Sequence, residues 1–317
     1  MSVISLDLGG TKLSGAVVDK NGYVLAHTSE PLNKRSGDQA AELIIDLVKQ
    51  LFEKAKSENI NIEGIGCCIP GIYYRQTGTV WAPNIPGWEN YPLEDILRNV
   101  VPDSNLKIVI DNDRSCSVMG EIWQGGAKGC NDVIFIAVGT GIGAGIVSGG
   151  QLVRGRSDIA GAVGWLALDR PFRDDYIATG CFEYHASGDG LVRVAKEYLK
   201  KDTNYNGILR AIKPDELTAH VIFSFFEKGD QIASRVLSEA VQYWGMAVAN
   251  LVSIFNPEKI VFGGGVFGPA ARFINDIVEE AAKWSQPVSI GEVNVYATSL
   301  GNRAGLLGAA FHVLNQL

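Results

Sequence analysis

Apolar positions along this chain recur in two rhythms. Between residues 39 and 56, Ala40, Leu43, Ile44, Leu47, Val48, Leu51 and Phe52 fall at steps of three and four, which predicts an amphipathic helix. Similar spacing predicts helices over residues 191–200, 231–255, 273–283 and 304–317, and shorter ones over 92–100 and 115–124. Short apolar runs bounded by turn residues predict buried strands over 3–8, 13–18, 65–69, 106–110 and 260–262, with further strands near 24–27 and 292–297. Asn21-Gly22 reads as a hairpin turn. The first half runs strand–helix–strand, so the chain is expected to form an α/β layer with parallel strands.

One stretch departs from both rhythms. Residues 133–147 read VIFIAVGTGIGAGIV, a buried strand, a glycine turn and a second strand. Alternate glycines let a backbone turn sharply and approach something bulky. Successive amides in such a turn form a nest for an anion, most often a phosphate. A hairpin whose glycines only relieve crowding would read the same way. Residues 3–25, VISLDLGGTKLSGAVVDKNGYVL, align with residues 133–153 strand on strand. Two such units, about 130 residues apart, point to a duplicated domain with a phosphate loop in each half. Asp7 of the first unit stands where the second has Ala137. A carboxylate beside one loop suits a magnesium ion held on one side of a nucleotide's phosphates. This layout resembles the actin-like (ribonuclease H-like) ATPase fold, two α/β lobes with a central cleft.

Composition narrows the class. At 317 residues two domains are expected, and 46% hydrophobic with 20% charged residues describes an ordinary globular protein. A net charge of −7 gives no sign of a nucleic-acid surface. Cys67, Cys68, Cys116, Cys130 and Cys181 are scattered without a CxxC pair, as expected of reduced thiols in the cytoplasm. No apolar run reaches membrane-spanning length, and a start directly in a strand leads us to expect no signal peptide.

Two segments carry further candidate chemistry. Residues 71–93 are rich in Pro, Gly and aromatics, a composition expected of an irregular functional loop. Within it Asn84, Trp81 and Trp88 suit a sugar-binding lip, although close packing would also account for the tryptophans. The strand at 106–110 runs into Asp111-Asn112-Asp113. Polar residues at the carboxyl end of a buried strand are where open α/β sheets place ligands. Asp113 there suits a general base toward a hydroxyl, with Asn112 orienting the substrate; helix capping is the structural alternative. His27 is expected to be a surface strand residue, and His220 and His312, each single among apolar residues, are expected to be packing residues.

Taken in order, the motifs resemble one family. They are Asp7-Leu-Gly-Gly-Thr-Lys12, Pro70-Gly71, Ala82-Pro-Asn-Ile-Pro-Gly-Trp88, Asn112-Asp113 with Gly120-Glu121, and Gly139-Thr-Gly-Ile-Gly143. Gly180-Cys-Phe-Glu183, Asn256-Pro-Glu-Lys-Ile-Val-Phe-Gly-Gly-Gly265 and Asn302-Arg-Ala-Gly-Leu-Leu-Gly308 follow. The chain resembles the ROK family (repressors, open reading frames, sugar kinases) over essentially its whole length. The resemblance implies transfer of the ATP γ-phosphate to a hexose hydroxyl, the 6-hydroxyl by analogy. It implies a small domain of residues 1–112 with 300–317, and a larger one of 113–299. Asp7, Gly9, Gly10, Thr11 and Lys12 would form the first phosphate motif, and Gly139, Thr140 and Gly141 the second. Gly263, Gly264 and Gly265 would lie on the adenosine side. Gly71, Asn84, Asn112 and Glu183 would contact sugar, Asp113 would be the base, and Asp7 would hold magnesium through water. A homodimer is expected, with no nucleic-acid or membrane partner.

Departures matter as much. The family's Gly-Glu-x-Gly-His stretch is here Gly161-Ala162-Val163-Gly164-Trp165, and of its zinc-loop cysteines only Cys181 remains. Cys181 and His185 alone cannot close a tetrahedral site, so no structural zinc is expected. Ala162 removes an acceptor for two sugar hydroxyls, and Trp165 offers a flat apolar face instead of an imidazole. A β-glucoside or disaccharide kinase is therefore a competing reading, as is a catalytically silent sugar-binding protein. A family regulator would need a helix-turn-helix before Asp7, for which we expect no room. The GxGxxG at 263–268 also fits a dinucleotide enzyme, but it comes late in the chain.

Overall fold

A computed structural model describes residues 1–103 and 105–317. The chain divides into two compact units. The first comprises Met1–Cys130, Leu152–Ala160 and Ser299–Leu317; the second comprises Asn131–Gln151 and Gly161–Thr298. The position 112/113 falls inside the first unit, between a strand and the helix it feeds.

In the first unit the strands are β1 (Ser2–Leu8), β2 (Lys12–Asp19), β3 (Val24–Pro31), β4 (Ile62–Ile69), a hairpin of β5 (Ile72–Tyr74) and β6 (Thr79–Trp81), and β7 (Lys107–Asn112). The main sheet has the order β3-β2-β1-β4-β7. β1 is antiparallel to β2 and parallel to β4, which is parallel to β7. Such a sheet needs cover on both faces. One face is buried under helix Gly37–Ser57, whose Ile44, Leu47, Val48 and Leu51 join Ile4, Leu6, Ile65 and Ile69. Against the other, Leu306, Leu307 and Ala310 of the final helix Ala304–Leu314 pack on Val3, Ala16 and Val109. That helix also crosses helix Asp113–Gln124 at very short range. A Cβ on Gly308 would lie 1.6 Å from the Cys116 carbonyl oxygen, so only glycine fits there.

Residues 71–93 are more ordered than their composition suggests. β5 and β6 pair within the stretch, and Trp88 stacks on Tyr91 with centroids 4.6 Å apart. Trp88 is buried and donates from Nε1 to the Gly37 carbonyl at 3.0 Å. It is a core residue and not a sugar lip; Trp81 and Asn84 are exposed.

The second unit repeats the first unit's strand plan. Its strands are β8 (Val133–Val138), β9 (Ile142–Ser148), β10 (Gln151–Leu152), β11 (Lys259–Gly263) and β12 (Asn294–Ala297), ordered β10-β9-β8-β11-β12. The pattern of antiparallel and parallel pairs matches that of the first sheet. The long helix Gln231–Phe255 starts on Asp230, whose carboxylate accepts from the Ala233 amide at 3.0 Å. It stops at Asn256, which adopts the left-handed conformation just before Pro257. Helix Pro287–Glu292 was not legible in the apolar spacing, and none of its side chains is buried. Among the described residues no helix is long and apolar enough to cross a membrane.

Candidate functional site

The register makes the duplication concrete. In the first hairpin the last ladder pair is Leu8↔Leu13, and in the second it is Val138↔Ile142. Counting back one residue sets Asp7 against Ala137. Each turn closes on itself, the Gly9 amide bonding the Lys12 carbonyl at 2.9 Å and the Gly139 amide the Gly141 carbonyl at 2.9 Å.

In the first unit, the strand ends bring several expected residues together. A Cβ on Gly10 would lie 4.0 Å from that of Asn84, so Asn84 flanks the Gly9–Lys12 turn. A Cβ on Gly71 would collide with the Trp81 carbonyl at 2.0 Å, so this glycine is needed for close packing. Asp7 pairs along the ladder with Cys68. Burial pushes its carboxyl up to about 6, against a hydrogen bond with Cys68 that lowers it; Asp113's charge adds to the rise and Lys12 opposes it.

Asn112 and Asp113 divide the two roles the sequence left open. Asn112 is the helix cap, its side-chain oxygen accepting from the Ser115 amide at 2.9 Å. Asp113 is the first helical residue. Its Oδ1 accepts from the Arg114 amide at 2.9 Å, yet its side chain is half exposed. Its carboxyl is raised by the protein around it, partly offset by Arg114. Beneath both lies Asp111, which sequence reading had not singled out. It is buried and accepts from Arg75 at 3.0 Å and from both terminal nitrogens of Arg154. Its Oδ1 also takes the Asn112 amide at 2.9 Å and Asn112 Nδ2 at 3.3 Å. Asp111 thus fixes the peptide and side chain that precede Asp113. His312 is buried as expected, with Nε2 3.7 Å from Asp111.

In the second unit the Gly139–Gly141 turn borders a cavity of about 750 Å³, a size suited to a nucleoside and its phosphates. Its wall includes Gly139, Thr140, Gly265, Arg193, Lys196 and His220. The amides of Gly188 and Asp189, opening helix Gly188–Lys201, bond the carbonyls of Gly139 and Thr140 at 2.7 and 3.4 Å. This holds two turn carbonyls against the helix and occupies its first two amides, while Ser187 Oγ takes the third; the positive charge on the cavity wall comes from Arg193 and Lys196. Gly263 and Gly264 do not line the cavity. A Cβ on Gly264, at φ 88°, would stand 2.4 Å from the Val138 carbonyl oxygen; these glycines let β11 turn away against β8. His220 corrects the packing expectation, being exposed at the cavity wall. Arg193 and Lys196, three apart on a helix that opens beside the turn, were the legible signal for this wall.

Glu183 belongs to the same unit. Its Oε2 accepts from the Ile142 amide at 2.6 Å, and burial raises its carboxyl against that bond. Gly141 and Gly164 are both occupied, on their Cβ side, by the Glu183 side chain. Ala162 precedes the short 3-10 turn Val163–Trp165, and Trp165 is 57% exposed. Cys181 is buried. Among the described residues no group of three or more His, Cys, Asp or Glu side chains stands placed to hold a metal ion.

Comparison with known proteins agrees with the motifs. The sequence matches the ROK family over residues 3–316. It is 31% identical to a glucokinase of Halalkalibacterium halodurans, over 99% of this chain and 95% of that one. The fold is similar to that of a ROK hexokinase from Thermus thermophilus, with TM-score 0.81, 29% identity and coverage of 98% and 97%. It is also similar to a ROK glucokinase from Streptomyces griseus in complex with glucose and AMPPNP, with TM-score 0.76, 30% identity and coverage of 98% and 99%. The chain belongs to the ROK family.

Proposed function

We propose that this protein is an ATP-dependent sugar kinase in which Asp113 is the general base. The observation that carries the reading is the state of Asp113, a half-exposed carboxylate at the carboxyl end of β7, in the unit that also holds Asp7 and the first phosphate turn. Asp113 accepts the proton of the acceptor hydroxyl as its oxygen forms a bond to the γ-phosphorus and the bond to the ADP oxygen breaks. The two phosphate turns present backbone amides to the phosphates. In the first unit Asn84 and the remaining N–H of Asn112 are the candidate sugar contacts, in the second Glu183 is, and the cavity beside Gly139 takes the nucleoside.

The carboxylate of Asp7 fits magnesium. It is a hard oxygen donor raised by burial and by Asp113, a charge balance that a hydrated divalent cation would relieve. Bound there through water, magnesium would neutralise charge on the phosphate oxygens. By family analogy the protein works in the cytoplasm as a homodimer, which sedimentation will test.

Ala162 and the exposed Trp165 favour a second reading of the acceptor as a β-glucoside or disaccharide, since an apolar ring suits the face of another sugar. The test is ADP release with magnesium and ATP across free hexoses, N-acetylhexosamines, β-glucosides and disaccharides. Turnover of one class identifies the acceptor. ATP binding without turnover on any of them would overturn the kinase reading in favour of a silent sugar-binding protein.

A further inference from the structure

Glu183 sits on a helix of only six residues, Cys181–Ala186. One and a half turns cannot hold themselves in water, so the placement of Glu183 depends on what the helix leans on. Its next two residues supply the answer. His185 is buried, and its Nε2 shares a 2.8 Å hydrogen bond with the hydroxyl of buried Tyr176. Its Nδ1 lies 3.4 Å from Glu239 Oε1 on helix Gln231–Phe255, and Tyr198 donates to the other oxygen of Glu239. The imidazole also stacks on Tyr243, with centroids 4.3 Å apart and planes 10° apart.

Tyr184 is tied as firmly on the other side. Its hydroxyl donates to Glu197 at 2.5 Å and accepts from Arg173 at 2.9 Å. Arg173 also reaches Glu197 at 2.9 Å, and Arg193 lies over the Tyr184 ring. Trp244 closes the end of the helix, donating to the Ala186 carbonyl at 3.1 Å. Three consecutive side chains therefore point to three anchors. Glu183 meets the phosphate-turn strand β9, Tyr184 meets helix Gly188–Lys201, and His185 meets helix Gln231–Phe255.

We infer that Tyr176, His185 and Glu239 are positioning residues, a buried polar array of one hydrogen bond and one 3.4 Å contact that sets Glu183 against the Ile142 amide and toward the sugar. The inference rests on the kinase reading for the sugar, but its structural half does not. Without these contacts the His185 side of the short helix loses its polar anchors while the Tyr184 side keeps its own, so the helix tilts and the hydrogen bond from the Ile142 amide to Glu183 weakens.

The test uses the full-length protein with Tyr176→Phe, which removes one oxygen, and Glu239→Gln, which keeps the shape. Hydrogen exchange reads the Ile142 amide directly. We expect its exchange to speed at least tenfold in Tyr176→Phe. Steady-state kinetics, with glucose as the first probe and the best acceptor from the panel as the second, should show the sugar KM rising at least fivefold. The KM for ATP should stay within twofold. In a Glu183→Gln background, Tyr176→Phe should add nothing to the sugar KM, because coupled residues are non-additive. Unchanged Ile142 exchange in both variants, or a sugar KM effect fully additive with Glu183→Gln, overturns the proposal. Faster Ile142 exchange in a protein that phosphorylates no sugar would keep the array and overturn the kinase reading alone.

Discussion

Asp111 receives both terminal nitrogens of Arg154, at 3.0 and 2.7 Å, from a residue 43 positions away in sequence. Burial alone would raise this carboxyl, yet the hydrogen bond with Arg154, the neighbouring His312 and the charges of Arg154 and Arg75 hold it below its ordinary value. Arg154→Met should leave a buried carboxylate with Arg75 as its main partner. We expect a loss of about 1–3 kcal/mol, less than for a fully buried pair because Arg154 is partly exposed. The sign with pH follows. A lowered carboxyl contributes stability that is complete above the unfolded value near 3.8 and lost as pH falls through the folded one. Guanidinium melts from pH 2 to 8 should therefore show the full variant penalty at neutral pH and a penalty that shrinks as pH falls below 3.8.

Asp113→Asn tests the base. The amide keeps size and the Arg114 contact but cannot accept the hydroxyl proton. The expected outcome is a fall in kcat of about 10²–10⁴, with ATP affinity measured by calorimetry within threefold of the wild type. A fall in kcat of less than fivefold would remove Asp113 from the mechanism.

Asp7 gives the opposite pH sign. Its folded value of about 6 exceeds the unfolded 3.8, so the protonated form favours folding. That advantage is complete below the unfolded value and lost as pH rises through 6. In the absence of magnesium and nucleotide, Asp7→Asn should stabilise the protein by on the order of 1–3 kcal/mol at pH 8. It should change nothing near pH 4. The same variant should lose phosphotransferase activity at every pH. Equal stability of the two proteins at pH 8 would show that Asp7 is not a strained carboxylate.

His220→Ala examines the cavity wall. The side chain is exposed where the cavity opens, so its removal should not affect folding. A lost hydrogen bond or ring contact of about 1 kcal/mol predicts a KM for ATP about fivefold higher. The sugar KM and the melting temperature should be unchanged; an unchanged KM for ATP would leave His220 an exposed residue with no part in nucleotide binding.

Much of this was legible in the sequence because the determinants are local. Alternating glycines, a strand before them and an aspartate in one copy only mark two phosphate hairpins, and the ladder register matches Asp7 to Ala137 as the alignment had it. Helix Gln231–Phe255 has the expected bounds because its start and stop are written in Asp230 and Asn256-Pro257. Trp88 stayed open because an aromatic in a Pro- and Gly-rich loop reads the same whether it faces solvent or packs on Tyr91, which is where it lies. His220 misled because a lone histidine among apolar residues does not reveal which face of its helix meets a cavity.

What the chain determined by itself is the duplicated α/β plan, the two glycine turns and the candidate base at the end of β7. Those depend on backbone conformation and on short-range spacing. The tertiary structure alone decided which polar side chains meet. Asp111 with Arg75 and Arg154, and His185 with Tyr176 and Glu239, are pairs whose members lie 9 to 54 residues apart. Their partners are chosen by how sheets and helices pack, and no local pattern records that choice.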